Sequence, residues 1–189
     1  MTTKWVNWGG NQMSFPQRIA LPSSEKEIVS LIGIGVANRW KIRPVGSSHS
    51  FSPICATDGL LIDLSAFNEI LHVDRENLKV TVGAGLTLAQ LNIALSKYGM
   101  ALPNLGDIDS QTLAGAIATG THGTGSRHFS ISAAVIGLRI ATGDGSVIDV
   151  SESQHPEIFE CARVNLGAFG IVISVTLQCV KSFNLFARE

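Results

Sequence analysis

Apolar residues recur along this chain at spacings that switch between those typical of helices and those typical of strands. Ser24-Glu-Lys-Glu27 has the form of a capping box, and the apolar positions that follow between Ile28 and Val36 share one helical face. This pattern predicts a helix that ends near Arg39. Two short apolar runs, over residues 42–45 and 60–64, are predicted to be strands, the second of them nearly or fully buried.

Two longer segments have the pattern of hairpins. Polarity alternates over residues 70–74 and 78–82, on either side of a short polar turn. A Gly-Asp-Gly turn separates residues 133–142 from residues 147–150 in the same way. A final strand is predicted over residues 171–180, which are rich in valine and isoleucine.

Three more helices are predicted between these strands. Thr87-Leu-Ala-Gln90 forms a second capping box, and Gly99 can end its helix in a left-handed conformation. Residues 112–118 are predicted to form a short helix of small side chains, and residues 155–164 a fourth helix. The order of elements is a mixed α+β pattern, without the steady alternation of a doubly wound sheet.

The composition indicates a single domain and excludes some classes of partner. The chain has 189 residues, 45% hydrophobic and 15% charged, which is enough apolar material for one core. The net charge is −1 and lysine and arginine are scattered singly, so no basic stripe is available to neutralise a nucleic-acid backbone. No apolar run approaches the ~20 residues of a membrane span, and the N-terminus lacks the pattern of a secretory signal. We therefore expect a soluble cytoplasmic protein that binds neither nucleic acid nor membrane.

The cysteines and most of the histidines lack the spacing of a reactive or metal-binding site. Cys55, Cys161 and Cys179 are odd in number and far apart, so no disulfide framework or C-x-x-C motif is predicted. We expect all three to be small side chains that are buried or half-buried. We predict no metal site, since three histidines have no ligand spacing and are expected to be surface or core side chains. They are His72, His128 and His155.

Glycines and hydroxyl residues are concentrated in three loops beside predicted helices and strands. These loops are Gly46-Ser-Ser-His-Ser50, Gly120-Thr-His-Gly-Thr-Gly125 and Gly167-Ala-Phe-Gly170. Small residues let main-chain N–H groups approach an anion closely, and N–H dipoles from loops and helix N-termini can hold a pyrophosphate without lysine. Ordinary turns have the same composition, but three such loops in one domain favour a site for a phosphate-containing ligand.

The common nucleotide and hydrolase motifs do not fit. Gly83-Ala-Gly85-Leu-Thr-Leu88 begins like a dinucleotide fingerprint but has Leu88 in place of the third glycine, and no P-loop motif occurs. Neighbouring Ser and His side chains of one loop rarely aim at each other, and no G-x-S-x-G elbow is present, which disfavours a serine hydrolase. A non-catalytic nucleotide-binding module stays open as an alternative.

Five ordered motifs make the sequence resemble a known family. They are Val45-Gly-Ser-Ser-His-Ser-Phe51, Thr57-Asp-Gly59, Asn104-Leu-Gly106, Gly120-Thr-His-Gly-Thr-Gly125 and Leu166-Gly-Ala-Phe-Gly170. These motifs resemble those of the aldonolactone oxidoreductases within the vanillyl-alcohol-oxidase flavoprotein superfamily. The group includes gulonolactone and arabinonolactone oxidases, galactonolactone dehydrogenases and alditol oxidase. The resemblance runs from about Trp5 to Gln178.

The resemblance implies an α+β fold, in the form of a two-lobed PCMH-type FAD-binding domain with mixed sheets and FAD extended between the lobes. The whole chain, residues 1–189, would be this domain, with one lobe over about residues 1–82 and the other over about residues 83–180. The substrate domain of the relatives, with its base and sugar-binding groups, would be absent. We therefore expect no catalytic residues in this chain.

The resemblance also implies which residues contact the cofactor. The loop matching Gly46 to Ser50 wraps the FAD pyrophosphate, and the histidine matching His49 is bonded covalently to the flavin 8α-methyl carbon. Residues matched between Gly106 and Thr121 line the isoalloxazine and the phosphates, and the backbone near Ile171 meets the adenine. The full set of implied cofactor-binding residues, besides His49, is Arg43, Val45, Gly46, Ser47, Ser48, Ser50, Phe51, Gly106, Asp107, Thr112, Gly115, Ala116, Ala118, Thr119, Gly120, Thr121, His122, Gly170 and Ile171.

By the same resemblance, the full-length protein would oxidise a sugar-1,4-lactone or a sugar alcohol at a carbinol carbon, with oxygen as the electron acceptor. Gly106 favours an oxidase, because an alanine at that position in relatives can block oxygen from the flavin. Ser48 departs from the family pattern, which usually has glycine there, and its side chain restricts the loop backbone. The alternatives are an FAD-binding fragment without activity and a dehydrogenase that uses another acceptor.

Overall fold

The computed structural model describes residues 3–186, which form helices packed with four sheets. The helices are α1 (Glu25–Ala37), α2 (Leu88–Ser96), α3 (Leu113–Ala118) and α4 (Pro156–Ala162), and a 3-10 helix spans Ile131–Ala134. The strands are β1 (Trp5–Val6), β2 (Met13–Ser14), β3 (Arg18–Ala20), β4 (Ile42–Val45), β5 (Leu60–Asp63), β6 (Ile70–Asp74), β7 (Lys79–Gly83), β8 (Met100–Ala101), β9 (Val135–Ala141), β10 (Val147–Ser151), β11 (Ile171–Gln178) and β12 (Val180–Lys181). No helix among these residues is long and apolar enough to cross a membrane. The predicted α+β class is confirmed.

A parallel sheet of three strands carries the first glycine-rich loop. β5 lies in the centre and pairs with β3 and β4, and its residues Leu60, Leu61 and Ile62 are completely buried. α1 packs closely on this sheet, because Gly35 has no side chain and lies against the side chains of Ile42 and Leu60. β4 therefore has a fixed position, and the loop over residues 46–51, here called the β4 loop, starts from a fixed point.

An antiparallel sheet of five strands forms the other large layer, in the order β10-β9-β11-β7-β6. The two predicted hairpins are confirmed as β6–β7 and β9–β10. β11 joins them and is buried over most of its length, as expected for a central strand rich in valine and isoleucine. The lobe boundary expected near residue 82 falls on β7 within this sheet, and the division into lobes stays a prediction.

The predicted capping boxes are found at the starts of both helices. Both reciprocal hydrogen bonds of the box are present in α2, and one of the two is present in α1. Thr87 Oγ1 accepts a hydrogen bond from the Gln90 amide at 3.2 Å, and Gln90 Oε1 accepts one from the Thr87 amide at 2.9 Å. At α1, Ser24 Oγ accepts from the Glu27 amide at 3.3 Å, but the Glu27 carboxylate accepts from the amide of Ser23 instead of Ser24. Local side-chain caps therefore fix where both helices begin.

The cysteine prediction is confirmed for two residues and wrong for one. Cys179 is buried and Cys55 is half-buried, whereas Cys161 is exposed. Cys161 is exposed because the buried face of α4 carries Phe159 and Ala162. The three histidines expected to lie apart from any site are all exposed.

Candidate functional site

A cleft of about 1080 Å³, including its open mouth, lies between the β4 loop, α3 and the loop before β11. The predicted site residues that line the cleft are Arg43, Val45, Gly46, Ser47, Ser48, His49, Ser50, Thr112, Gly115, Ala118, Thr119 and Gly170. The fold therefore brings residues from three separate parts of the sequence to one cleft.

The other predicted site residues do not line this cleft. They are Phe51, Gly106, Asp107, Ala116, Gly120, Thr121, His122 and Ile171. Ala116 is completely buried, and Phe51 is 63% exposed at the end of the β4 loop. Ile171 lines a smaller depression of about 520 Å³ that shares Pro44, Gly167 and Gly170 with the cleft. Their roles toward a ligand stay predictions.

Three of these residues lie together on a neighbouring loop cluster. A Cβ built on Gly106 would lie 3.3 Å from the carbonyl oxygen of His122 and 3.4 Å from Thr121 Cγ2. The Thr121 hydroxyl accepts a hydrogen bond of 3.4 Å from Gln111 Nε2, and Gln111 lines the cleft. His122 Nδ1 lies 2.7 Å from the carbonyl oxygen of Gly123, within its own loop. Gln111 thus connects this cluster to the cleft.

Several cleft residues were not predicted from the sequence. They are Pro44, Ile54, Cys55, Leu64, Ala84, Gly85, Gln111, Ala114, Asn165, Leu166, Gly167 and Val172. Leu166 and Gly167 belong to the motif over residues 166–170 that indicated the site, but Gly170 is the one residue of that motif predicted to bind the cofactor. Gly85 also had a signal, because it stands in a Gly-Ala-Gly sequence that begins at the last residue of β7. The remaining residues are mostly apolar and carry no pattern that separates them from core residues.

Two glycines let the β4 loop and α3 converge on one hydroxyl group. A Cβ on Gly46 would overlap Thr112 Oγ1, and a Cβ on Gly115 would lie 3.1 Å from the same atom. Thr112 is itself buried. Any larger residue at position 46 would push the loop away from α3, so the absence of a side chain there sets the width of the cleft.

The N-terminus of α3 is less available to an anion than expected. The amides of Leu113 and Ala114 donate to the carbonyl oxygens of Leu86 and Ala84, at 2.8 and 3.1 Å. These bonds tie α3 to the connection between β7 and α2. Two of the first amides of α3 are therefore already engaged within the protein, which makes the β4 loop the better source of amides for an anion.

The β1–β2 hairpin holds the β4 loop in place. The Trp8 amide donates to the Ser48 carbonyl oxygen at 2.9 Å, and the Trp5 indole N–H donates to Ser48 Oγ at 3.2 Å. Asn7, which is 4% exposed, donates from Nδ2 to the Ser50 carbonyl oxygen at 2.9 Å. A short hairpin with no predicted role therefore fixes the main chain on both sides of His49.

His49 is half-buried and contacts two residues that the sequence did not single out. Its Nε2 lies 2.7 Å from the hydroxyl oxygen of Ser110. The Trp8 ring lies beside the imidazole, with ring centroids 4.9 Å apart and planes 31° from parallel. Ser47 Oγ also donates to the Ser110 carbonyl oxygen, at 2.5 Å. The imidazole is thus restrained by an aromatic ring and by a hydroxyl group.

Among the residues of 3–186 that line the cleft, Arg43 carries the one permanent charge. Its Nε is buried and has no hydrogen-bond partner within the described residues. A buried donor without an acceptor costs about 1–3 kcal/mol, so this atom is suited to an acceptor group of a ligand. Burial raises the pKa of the nearby Cys55 thiol, with a smaller opposing effect of the Arg43 charge, so this thiol stays neutral at neutral pH.

The loop before β11 places strained backbone at the cleft. Leu166 has a φ of +50° and is 52% exposed, and its amide donates to the Ala118 carbonyl oxygen of α3 at 3.3 Å. Gly170 has a φ of +127°, and a Cβ there would overlap the Ala141 carbonyl oxygen of β9. A left-handed leucine costs roughly 1–2 kcal/mol, and such residues often occur where a ligand binds.

Comparisons with known proteins agree with the resemblance seen in the sequence. Residues 16–151 match the family model described as an FAD binding domain. The chain is 38% identical over 182 residues to L-gulonolactone oxidase of Bos taurus, covering 96% of this chain and 41% of the relative. It is 40% identical over 189 residues to L-gulono-1,4-lactone dehydrogenase of Mycobacterium tuberculosis, covering 100% of this chain and 44% of the relative. It is 36% identical over 187 residues to D-arabinono-1,4-lactone oxidase of Kluyveromyces lactis, covering 97% and 36%. The chain therefore spans less than half the length of these relatives.

Solved structures show the same fold at low sequence identity. 6-Hydroxy-D-nicotine oxidase from Arthrobacter nicotinovorans superposes with a TM-score of 0.84 and 22% identity, over 95% of this chain and 42% of that one. Carbohydrate oxidase from Microdochium nivale superposes with a TM-score of 0.81 and 21% identity, over 88% and 36%. At this level of identity the likeness establishes the fold and not the reaction.

Proposed function

Because this chain belongs to the family of FAD binding domains, we propose that its cleft binds FAD and that His49 carries the flavin covalently. The position of the β4 loop is the observation that supports this most. The loop lines the cleft, and its histidine is restrained there by Trp8 and Ser110. A fixed ring position is what a nucleophile needs in order to attack a defined carbon.

The residues around the cleft fit a dinucleotide. Gly46 and Gly115 let the main chain of the β4 loop and of α3 approach Thr112 closely from two sides. A pyrophosphate carries about two negative charges, which loop amides and the guanidinium of Arg43 can share. The residues proposed to hold FAD are those that line the cleft: Arg43, Val45, Gly46, Ser47, Ser48, Ser50, Thr112, Gly115, Ala118, Thr119 and Gly170. Bound FAD would supply the two-electron acceptor that no side chain of the protein offers.

The activity of the longer relatives is a proposal for this chain. We propose that it supplies the cofactor site for oxidation of a sugar-1,4-lactone or sugar alcohol at a carbinol carbon. The base that takes the hydroxyl proton and the groups that bind the sugar would come from residues outside this chain, as the resemblance implies. The 189-residue chain alone is expected to hold FAD with negligible turnover, and substantial oxidation of a lactone by it would contradict this.

Oxygen is the proposed electron acceptor, and Gly106 is the residue that supports it. A dehydrogenase with another acceptor is the second candidate, favoured by the name of the M. tuberculosis relative. The Gly106→Ala variant of this chain distinguishes oxygen from another electron acceptor, and the test needs no substrate. Stopped-flow absorbance should show that chemically reduced flavin is reoxidised by oxygen more slowly in the variant, while reoxidation by an artificial acceptor changes little. Equal rates with oxygen would remove the support for an oxidase.

The covalent bond is tested by mass spectrometry. Protein produced with ample FAD is precipitated with acid, and intact mass and peptide mapping then show whether flavin stays on the His49 peptide. His49→Ala should still bind FAD but release all of it into the acid supernatant. His72→Ala, at an exposed histidine of β6, is the matched control and should retain the flavin. Loss of all flavin from the wild-type protein on precipitation would refute the attachment.

A further inference from the structure

Ser110 connects two segments that lie far apart in the sequence. Its hydroxyl oxygen lies 2.7 Å from Nε2 of His49, a residue 61 positions earlier in the chain. Its carbonyl oxygen accepts a hydrogen bond from Ser47 Oγ at 2.5 Å. Ser110 therefore contacts the β4 loop through its side chain and through its main chain, and it cannot shift without moving this loop.

The contact with Ser110 distinguishes the two nitrogens of the His49 ring. Nε2 is engaged by the Ser110 hydroxyl, whereas Nδ1 has no protein partner among residues 3–186. The Trp8 ring, with its centroid 4.9 Å away, limits rotation of the imidazole. A neutral imidazole carries its proton on one nitrogen and a lone pair on the other, so a partner that accepts the Nε2 proton leaves the lone pair on Nδ1.

We propose that Ser110 is a positioning residue for covalent flavin attachment. Its hydroxyl oxygen accepts a hydrogen bond from Nε2–H of His49 and so selects the tautomer in which Nδ1 forms the bond. This inference rests on the proposed attachment of flavin to His49. Ser110 does not touch the reacting carbon and acts only through the imidazole.

The attachment step balances with dioxygen as the oxidant. Nδ1 of His49 would form one bond to the 8α carbon, the methyl group would lose one hydrogen as a proton and leave the electron pair of that C–H bond on the flavin, and the imidazole would lose its Nε2 proton. The two electrons pass through the flavin to dioxygen, which takes up the two protons and leaves as hydrogen peroxide. Ser110 holds the departing Nε2 proton in a hydrogen bond while positive charge develops on the ring.

Variants of Ser110 separate positioning from folding. Ser110→Ala removes the acceptor, whereas Ser110→Thr keeps a hydroxyl group. The flavin-free 189-residue chain of each variant is mixed with FAD in air, and acid-stable flavin is measured against time. Loss of a positioning contact should slow attachment by about tenfold or more in Ser110→Ala, with unchanged reversible FAD binding. Ser110→Thr should attach flavin within about threefold of the wild-type rate.

The matched control is Ser52→Ala, which removes a hydroxyl group bonded to Ser50 Oγ at 2.9 Å and not to His49. It should attach flavin at the wild-type rate. NMR of the flavin peptide released by proteolysis then identifies the linked nitrogen, which should be Nδ1 in the wild-type protein.

Each outcome decides one hypothesis. Wild-type protein that binds FAD reversibly but never covalently would end the proposed attachment, and with it the role of Ser110. Covalent attachment in Ser110→Ala at the wild-type rate would overturn the role of Ser110 alone. If Ser110→Ala fails to bind FAD, the linked nitrogen of the wild-type protein decides, because linkage through Nε2 is incompatible with the contact and linkage through Nδ1 agrees with it.

Discussion

At Ser48, backbone strain lowers the stability of the fold and a side-chain hydrogen bond raises it, and two substitutions at this position separate these effects. Its φ is +59°, in the left-handed region that costs a residue with a Cβ roughly 1–2 kcal/mol. Its hydroxyl oxygen accepts the hydrogen bond of the Trp5 indole at 3.2 Å, and its carbonyl oxygen accepts that of the Trp8 amide at 2.9 Å. Substitution at position 48 can remove the first of these contacts but not the second.

The free energy of unfolding should therefore differ between two small replacements. Ser48→Ala keeps the backbone strain and loses the hydroxyl contact, which lowers the stability by about 0.5–1.5 kcal/mol. Ser48→Gly loses the same contact and removes the strain, but it adds freedom to the unfolded chain worth roughly 0.4–1 kcal/mol. We expect the glycine variant to be close to the wild type and more stable than the alanine variant by about 0.5–1 kcal/mol.

Thermal and urea unfolding of the two variants measure this difference. For a chain of this size, 1 kcal/mol shifts the Tm by about 2–4 °C, so the glycine variant should melt about 1–4 °C above the alanine variant. Ser52 provides the control, because its φ is not positive and the order should reverse there. An alanine variant at position 48 that equals or exceeds the glycine variant would show that Ser48 is not left-handed.

Three further predictions concern the cleft, the hairpin that supports it and an ion pair between α1 and β9. Gly46→Ala should weaken reversible FAD binding by about tenfold or more in equilibrium dialysis, because the new methyl group overlaps Thr112 Oγ1, and Thr112→Ala in the same chain should recover part of the loss. Asn7→Ala should lower the free energy of unfolding by about 1–3 kcal/mol in urea titration, since it removes two hydrogen bonds that the buried Asn7 amide makes to half-buried main-chain groups, each worth about 0.5–1.5 kcal/mol. The hydrogen bond from Arg139 lowers the pKa of Glu25, so this carboxylate stabilises the fold fully above its ordinary pKa of 4.5 and loses its effect as the pH falls through the lower folded value. Glu25→Gln should therefore show a smaller fall of Tm on acidification than the wild type, and an equal fall would contradict the role of the pair.

Local patterns predicted the elements whose signals lie within one segment. The capping box at Thr87 and the hairpin turn between β9 and β10 act over a few residues, so their consequences are visible in the sequence. β1 and β2 contain two residues each, which is too short to show an alternating pattern. Their pairing depends on the buried side chain of Asn7, whose Oδ1 accepts from the Gln12 amide at 2.9 Å, and no periodicity indicates such a bond.

The part of the candidate site that lies within a single loop could be predicted from the sequence. The glycines and hydroxyl groups of the β4 loop are visible as a cluster, and the family resemblance implied the role of His49. Trp8 and Ser110 were not predicted, because they approach His49 from 41 and 61 residues away. In the sequence, Trp8 stands in an N-terminal stretch without motifs, and Ser110 stands between two unremarkable polar residues.

The supports of the β4 loop explain how a loop of small residues can act as a rigid cofactor site. Fixing one backbone residue costs about 1–2 kcal/mol, so six residues rich in glycine and serine would not stay ordered through their own contacts. The β1–β2 hairpin supplies hydrogen bonds to Ser48 and Ser50, and Asn11 and Gln12 each donate to the carbonyl oxygen of Phe51 at 3.1 Å. At about 1 kcal/mol each, these bonds offset much of the ordering cost before any ligand arrives. Because part of that cost is met in the fold, more of the contact energy with a ligand is available for binding, and changes in the hairpin should alter affinity in the cleft without touching it.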